Sequence, residues 1–142
     1  MSFDVLGELN WLAVIVAALA YFVLGALWYA PPVMGKSWMA AGGMETPADD
    51  QRPGAGIYVV PLVGSVLSAV ALGMLAEATG TDTVGAGFVL GVVVAIGFAL
   101  AIALVTATFE SNKPKPMVWG AINAGYHALG IIVAALIIGA WQ

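Results

Sequence analysis

The sequence predicts an all-α membrane protein, a bundle of four transmembrane helices with both termini on the outer side of the membrane. Three observations support this prediction. Hydrophobic residues make up 62% of the chain and charged residues only 8%, against about a quarter in an ordinary soluble domain. The charged residues separate four apolar stretches, each long enough to cross roughly 30 Å of hydrocarbon. The positively charged residues all fall in two of the connections between these stretches.

The composition also narrows the classes of function. The 142 residues suffice for one domain, residues 1–142, and the absence of cysteine excludes disulfides, thiolate metal sites and a catalytic thiol. No face rich in Lys and Arg is available to nucleic acid. The first residues are acidic, unlike a secretory signal, so we expect the first apolar stretch to be retained. We therefore expect the lipid bilayer to be the main partner, and neither a metal nor a cofactor.

The four predicted spans are residues 9–30, 57–78, 84–109 and 118–141. Pro31 and Pro32 end the first helix, because proline cannot donate a backbone hydrogen bond and clashes with the preceding turn. Pro61 falls near the first turn of the second span, where proline is tolerated. The third span is the longest, which predicts that it is tilted in the bilayer. Short connections make the second and third spans, and the third and fourth, antiparallel neighbours.

The orientation follows from the positive residues. Lys36 and Arg52 lie in the loop 31–56, and Lys113 and Lys115 lie in the loop 110–117. Positive residues favour the cytoplasmic side, so both loops are predicted to be cytoplasmic. Aromatic residues near the ends of the spans are predicted to lie at the level of the lipid headgroups. These interfacial residues are Trp11, Trp28, Tyr29, Trp38, Trp119 and Trp141.

Small residues recur every four positions along the third span and predict close helix packing. This small-residue ribbon comprises Gly87, Gly91, Ala95, Ala99 and Ala103, and continues to Ala107. A four-residue step overshoots one helical turn by about 40°, so we expect the ribbon to wind round the helix and meet different partners at its two ends. The pattern predicts that the third span lies at the centre of the bundle. It is compatible both with packing inside one bundle and with a subunit interface, and we expect a homo-oligomer.

The fourth span carries the single histidine of the chain. Asn123 and His127 are four residues apart and therefore share one face of a helix. An ionisable group near the bilayer midplane is costly, which makes His127 a candidate functional residue. Tyr126 precedes it, and Tyr21, near the middle of the first span, is a candidate partner, as are Ser65 and Ser68. These residues predict either a ligand or proton site, or an interhelical hydrogen bond that only fixes helix register.

Two parts of the sequence resemble a known family. The first combines Asn10-Trp11 with the segment 25–31, GALWYAP, and with 35–38, GKSW; the second is 122–127, INAGYH. Both resemble the bacterial membrane family called domain of unknown function 1761. The resemblance implies a bacterial inner-membrane protein of about this size, and it implies no activity.

Two functions remain open. The first is a structural or accessory subunit that associates, with itself or a larger membrane complex, through small-residue helix faces. The second is an oligomeric small channel or transporter with a polar site at Asn123 and His127. We expect no enzymatic activity, because Ser65 and Ser68 lack an acid–base partner at a recognisable spacing. Haem ligated by His127 and a methionine is not favoured, because methionines in such positions usually serve packing.

Overall fold

The computed structural model describes residues 2–45 and 54–141. Four helices in it are long and apolar enough to cross a membrane, and the described residues contain no β-strand, which confirms the predicted all-α class and the four spans. The helices are α1 (Trp11–Trp28), α2 (Lys36–Gly42), α3 (Val59–Thr79), α4 (Val84–Val94), α5 (Ala101–Phe109) and α6 (Pro116–Ala140). Part of the predicted loop 31–56, including Arg52, lies outside the described residues.

The first span is α1, and the fourth is α6. The second joins the 3₁₀ turn Ala55–Tyr58 to α3, and the third runs continuously from Val84 to Phe109. Between α4 and α5 the third span contains a π-helical segment, Ala95–Leu100. A second π-helical turn, Pro31–Gly35, leads from the first span into α2.

Local sequence signals set the ends of the spans. The side chain of Asn10 accepts a hydrogen bond from the amide of Ala13 at 3.1 Å and caps the start of α1. Thr83 caps α4 in the same way. The chain leaves α3 through Gly80, whose φ of 64° is the left-handed conformation that glycine adopts at low cost. Pro116 occupies the first turn of α6, where its missing amide hydrogen would have had no helical partner.

The fourth span, and not the third, lies at the centre of the bundle. It packs against the first, second and third spans and against α2, whereas the third span packs mainly on the fourth. In the described part of the chain the second and third spans do not pack on each other, although a short turn connects them. The expectation of a central third span is therefore wrong, whereas the second and third spans are neighbours that line one cleft without close helix packing.

The small-residue ribbon faces the fourth span throughout its length. A Cβ added to Gly87 would meet the backbone of Ala135, and one added to Gly91 would lie 2.8 Å from the Cα of Ile132. At the other end Ala107 contacts Gly120. The ribbon does not reach a second partner, because the π-helical segment adds a residue to one turn and rotates the following residues back by about 100°.

Two hydrogen bonds relate the ends of the spans. The side-chain amide of Asn10 donates to the backbone oxygen of Trp141 at 2.6 Å, so the start of α1 and the end of α6 lie together. The backbone amide of Lys115 donates to the oxygen of Ala41 at 3.1 Å, at the opposite end of the bundle. The loops that carry Lys36, Lys113 and Lys115 therefore lie at one end of the bundle. Which side of a membrane that end faces stays a prediction.

Candidate functional site

One polar group in the interior is the amide of Asn123 with its partners, which we call the amide cluster. The hydroxyl of Tyr29 donates to Oδ1 of Asn123 at 2.6 Å, and Nε1 of Trp38 donates to the same oxygen at 3.1 Å. The Nδ2 group of Asn123 donates to the backbone oxygen of Trp119 at 2.9 Å. The cluster therefore joins three elements, the end of α1, the short helix α2 and the fourth span.

A second polar group lies one helical turn further into the bundle. The hydroxyl of Tyr21, from the middle of α1, lies 2.7 Å from Nδ1 of His127. Tyr21 is only 3% exposed, whereas His127 is exposed on the side that faces away from Tyr21. Among the described residues the imidazole has no other hydrogen-bond partner, so Nε2 is not engaged. We call these two residues the imidazole pair.

The ring of Tyr126 lies between the amide cluster and the imidazole pair. Its centroid is 5.3 Å from that of Tyr21, 5.4 Å from that of Tyr29 and 4.6 Å from that of His127, in tilted or edge-to-face arrangements. Such geometries are favourable between aromatic rings. Gly25 leaves the room for this ring, because a Cβ there would lie 2.9 Å from its hydroxyl oxygen. Tyr126 is buried, so it supports the site and does not face it.

Both polar groups border a cleft of about 580 Å³ between the second and third spans. The fourth span forms its floor, and the cleft is open laterally because the two walls do not pack together. Its polar lining is Tyr21, Ser68, Thr106, Asn123 and His127. The remaining lining is apolar and includes Ala71, Leu72, Phe98, Ala99, Ile102 and Ile131.

The wall formed by the third span includes part of its π-helical segment. Phe98 and Ala99 belong to this segment and line the cleft. A π-helical turn widens the helix and occurs often at functional sites. Here one edge of the helix has both contacts: Gly91 and Ala107, before and after the segment, contact the fourth span, and Ala99 within it borders the cleft.

The structure places the predicted site residues as follows. Asn123, His127 and Tyr21 meet at the cleft, and Tyr126 packs beneath them. The sequence offered Tyr21, Ser65 and Ser68 as alternative partners of the histidine; the bond is made by Tyr21, while Ser65 is buried and donates to the backbone of its own helix. Ser68 lines the cleft.

The predicted interfacial residues separate into two sets. Trp11 and Trp141 are exposed near the ends of the bundle. Tyr29 and Trp38 turn inward to the amide cluster, and Trp28 donates to the backbone oxygen of Ile122 at 3.1 Å. Sequence reasoning therefore missed Tyr29 and Trp38 as site residues. Their sequence positions give no signal that separates them from the other aromatic residues near the ends of the spans.

Trp119 also departs from an interfacial position. It borders the cleft and is half-buried, and the Nζ of Lys113 lies 4.3 Å from its ring centroid. Its Nε1 is buried without a hydrogen-bond partner among the described residues and lies next to Gly42. The charge of Lys113 is also balanced by Glu110 at 3.4 Å.

No metal site is indicated in the described residues, which contain no cluster of three or more His, Cys, Asp or Glu side chains. The polar side chains that line the cleft can donate and accept hydrogen bonds in mostly apolar surroundings.

A model of the family described as "Protein of unknown function (DUF1761)" matches residues 12–139, nearly the whole chain. The chain belongs to this family. The DUF1761 match confirms the resemblance found in the two motifs, and those motifs supply most of the site, from Tyr29 and Trp38 to Asn123 and His127. No curated protein and no solved structure matches the chain.

Proposed function

We propose that this protein binds a small lipophilic molecule in the cleft between its second and third spans, with the polar end of the molecule at Asn123 and His127. The observation that carries the proposal is the lateral opening: the cleft opens on the side of the bundle between two predicted spans and reaches the imidazole pair. Small-molecule sites are mostly apolar, occupy roughly 300–1,000 Å³ and contain a few convergent polar groups. The cleft, at about 580 Å³, fits that description.

A continuous pore through a single chain is less well supported. Beyond His127, towards the end of the bundle that holds Asn10, the fourth span presents Ile131 and Ile138 to a packed core. Leu72 and Ile138 are almost completely buried there. On that side of His127 the described residues therefore offer no polar path. Binding from the lipid phase needs no second opening.

A whole helix of another polypeptide fits the cleft poorly. The cleft follows the fourth span from Trp119 to Ile131, about 18 Å at 1.5 Å per residue. A helix is about 10 Å across with its side chains, so it would enter the cleft only with the side chains of one face. A single hydrocarbon tail with a small polar end suits its size better.

The proposal is tested by a variant whose larger side chain fills the cleft. Ala71 is exposed and lines the cleft, so Ala71→Phe should occupy it and should not disturb the core. Ala101 is exposed and does not line the cleft, which makes Ala101→Phe the matched control. Each protein is purified in mild detergent and its retained lipophilic molecules are quantified by mass spectrometry. Loss of a bound species in Ala71→Phe but not in Ala101→Phe is the expected result. Equal retention by both variants, or no bound species in the parent protein, refutes the proposal.

A second role, as an accessory subunit that forms homo-oligomers or joins a larger membrane complex, is favoured by the third span. That span packs mainly on the fourth, and most of its surface faces outward. The ribbon is already used inside the bundle, so such a contact would have to use other faces. We propose a bacterial inner membrane as the location, with the loops that carry Lys36 and Lys113 in the cytoplasm. Cross-linking in native membranes tests the association, since a non-associating protein gives only monomers.

A further inference from the structure

We infer that the polar end of the bound molecule is an uncharged hydrogen-bond acceptor, such as a ketone or quinone-type carbonyl, which receives the Nε2 hydrogen of His127. This inference rests on the binding function proposed above and names the chemical class of the ligand. It follows from where the proton of the imidazole pair lies, from the absence of balancing charge in the cleft, and from the polar groups on its walls.

The hydrogen bond between Tyr21 and His127 determines which imidazole nitrogen carries the ring hydrogen. A neutral imidazole has one nitrogen that donates and one that accepts. If Nδ1 donated to the tyrosine oxygen, the hydroxyl hydrogen of Tyr21 would need another acceptor, and the described residues offer none. Tyr21 borders the cleft but is only 3% exposed, so little of it is accessible to water, and an unpaired buried donor costs about 1–3 kcal/mol. Tyr21 therefore donates to Nδ1, and the ring hydrogen lies on Nε2.

Nε2 of His127 faces the cleft. Nδ1 is engaged by Tyr21 on the side of α1, and the exposed part of His127 borders the cleft. An N–H group aimed into an apolar cleft lacks a partner until a molecule with an acceptor arrives. The ligand must supply that acceptor.

The lining of the cleft does not suit a charged ligand. Apart from the imidazole pair, no lining residue of the cleft is ionisable. A carboxylate, phosphate or ammonium group near mid-depth would have no opposite charge beside it, and burying such a charge is expensive. A carbonyl oxygen accepts a hydrogen bond and carries no net charge.

The walls offer further polar groups to the same molecule. Ser65, Thr79 and Thr108 donate to backbone oxygens of their own helices, whereas Ser68 and Thr106 make no such bond among the described residues and line opposite walls of the cleft. A hydroxyl rotates and can donate or accept. These two groups suit a ligand with a second oxygen, as a quinone has. The tail leaves between the spans that do not pack together.

The experiment compares photoreactive probes of equal chain length that end in a methyl ketone, a carboxylate or a quaternary ammonium group, in lipid nanodiscs. We expect the ketone to label the cleft most strongly and the Ala71→Phe variant to lose that labelling. His127→Leu should weaken ketone binding roughly threefold to tenfold, the effect of one hydrogen bond, while His127→Gln, which keeps an amide donor, should retain most of it. Stronger labelling by the carboxylate or ammonium probe overturns the inference and leaves the binding function standing. Failure of all three probes to label the cleft refutes the binding function itself.

A second measurement does not depend on a variant. The chain contains one histidine, so ¹⁵N-histidine labelling gives one pair of imidazole signals. We expect the tautomer with hydrogen on Nε2, and a shift of that nitrogen when the ketone probe is added. Hydrogen on Nδ1, or no response to a bound ketone, overturns the inference.

Discussion

Gly130 controls the position of Tyr21, and its replacement by alanine should separate the imidazole pair. A Cβ at Gly130 would overlap the ring of Tyr21 and would lie 2.8 Å from its Cζ, whereas carbon atoms in contact are about 3.5–4.0 Å apart. The ring must therefore move by about an ångström, which breaks the 2.7 Å contact between its hydroxyl and Nδ1 of His127.

The change in the free energy of unfolding for Gly130→Ala combines two losses with one smaller gain. Overpacking a close contact destabilises by about 1–3 kcal/mol, and an interhelical hydrogen bond in a membrane contributes about 0.6 kcal/mol. Alanine recovers about 0.5–1 kcal/mol relative to glycine in a helix interior. We expect a net loss of about 1–3 kcal/mol in the free energy of unfolding, measured by reversible unfolding in bicelles.

Two comparisons isolate the cause. Gly64 lies on the exposed face of α3 with nothing within 4 Å of an added Cβ, so Gly64→Ala should be neutral or slightly stabilising. In a Tyr21→Ala background the overlap disappears, and Gly130→Ala should then cost nothing. The reasoning is refuted if Gly130→Ala is as stable as Gly64→Ala, or if its cost persists without the tyrosine ring.

Three further predictions concern the amide cluster, the helix ends and the orientation. Asn123→Leu removes the oxygen that accepts hydrogen bonds from Tyr29 and Trp38, and each of these donors left unpaired should cost about 1–3 kcal/mol. Backbone amides of α2 should then exchange hydrogen faster, because Trp38 no longer holds α2 to the fourth span. Unchanged exchange rates would contradict this prediction. Gly43→Ala should cost more than Gly80→Ala, because both have φ near +65° but only Gly43 has a neighbour, Pro114, at 3.0 Å; equal melting temperatures would contradict this. Cysteines at Lys36 and Lys113 should be labelled from the same side of the membrane, and labelling from opposite sides would contradict the topology.

The sequence was sufficient to predict the four spans because their signals are local. Apolar runs bounded by charges, and caps such as Asn10 and Thr83, depend on neighbouring residues only. Which helix lies at the centre is not a local property. In a soluble protein the apolar face of a helix identifies its buried side, but here every face is apolar, and small residues occur on the second, third and fourth spans alike.

The candidate site was predictable only where it depends on residues close together in the sequence. The shared helix face of Asn123 and His127 follows from their spacing. The choice of Tyr21 over Ser65 as the partner depends on how far one helix is displaced along another, which a single sequence does not encode. Tyr29 and Trp38 have the residue types expected at the membrane surface, so only the folded arrangement distinguishes their inward position.

The helix on which the other three spans pack is synthesised after them. When α6 is still inside the ribosome, the ribbon of the third span, the hydroxyl of Tyr29 and the indole of Trp38 have no partner. The earlier spans thus enter the bilayer as a loosely held set, and the bundle closes in a late step after residue 116 emerges. Membrane quality-control proteases consequently meet an incompletely packed chain until α6 has been inserted, so damage to α6 should reduce the amount of protein in the cell more than damage to any earlier span.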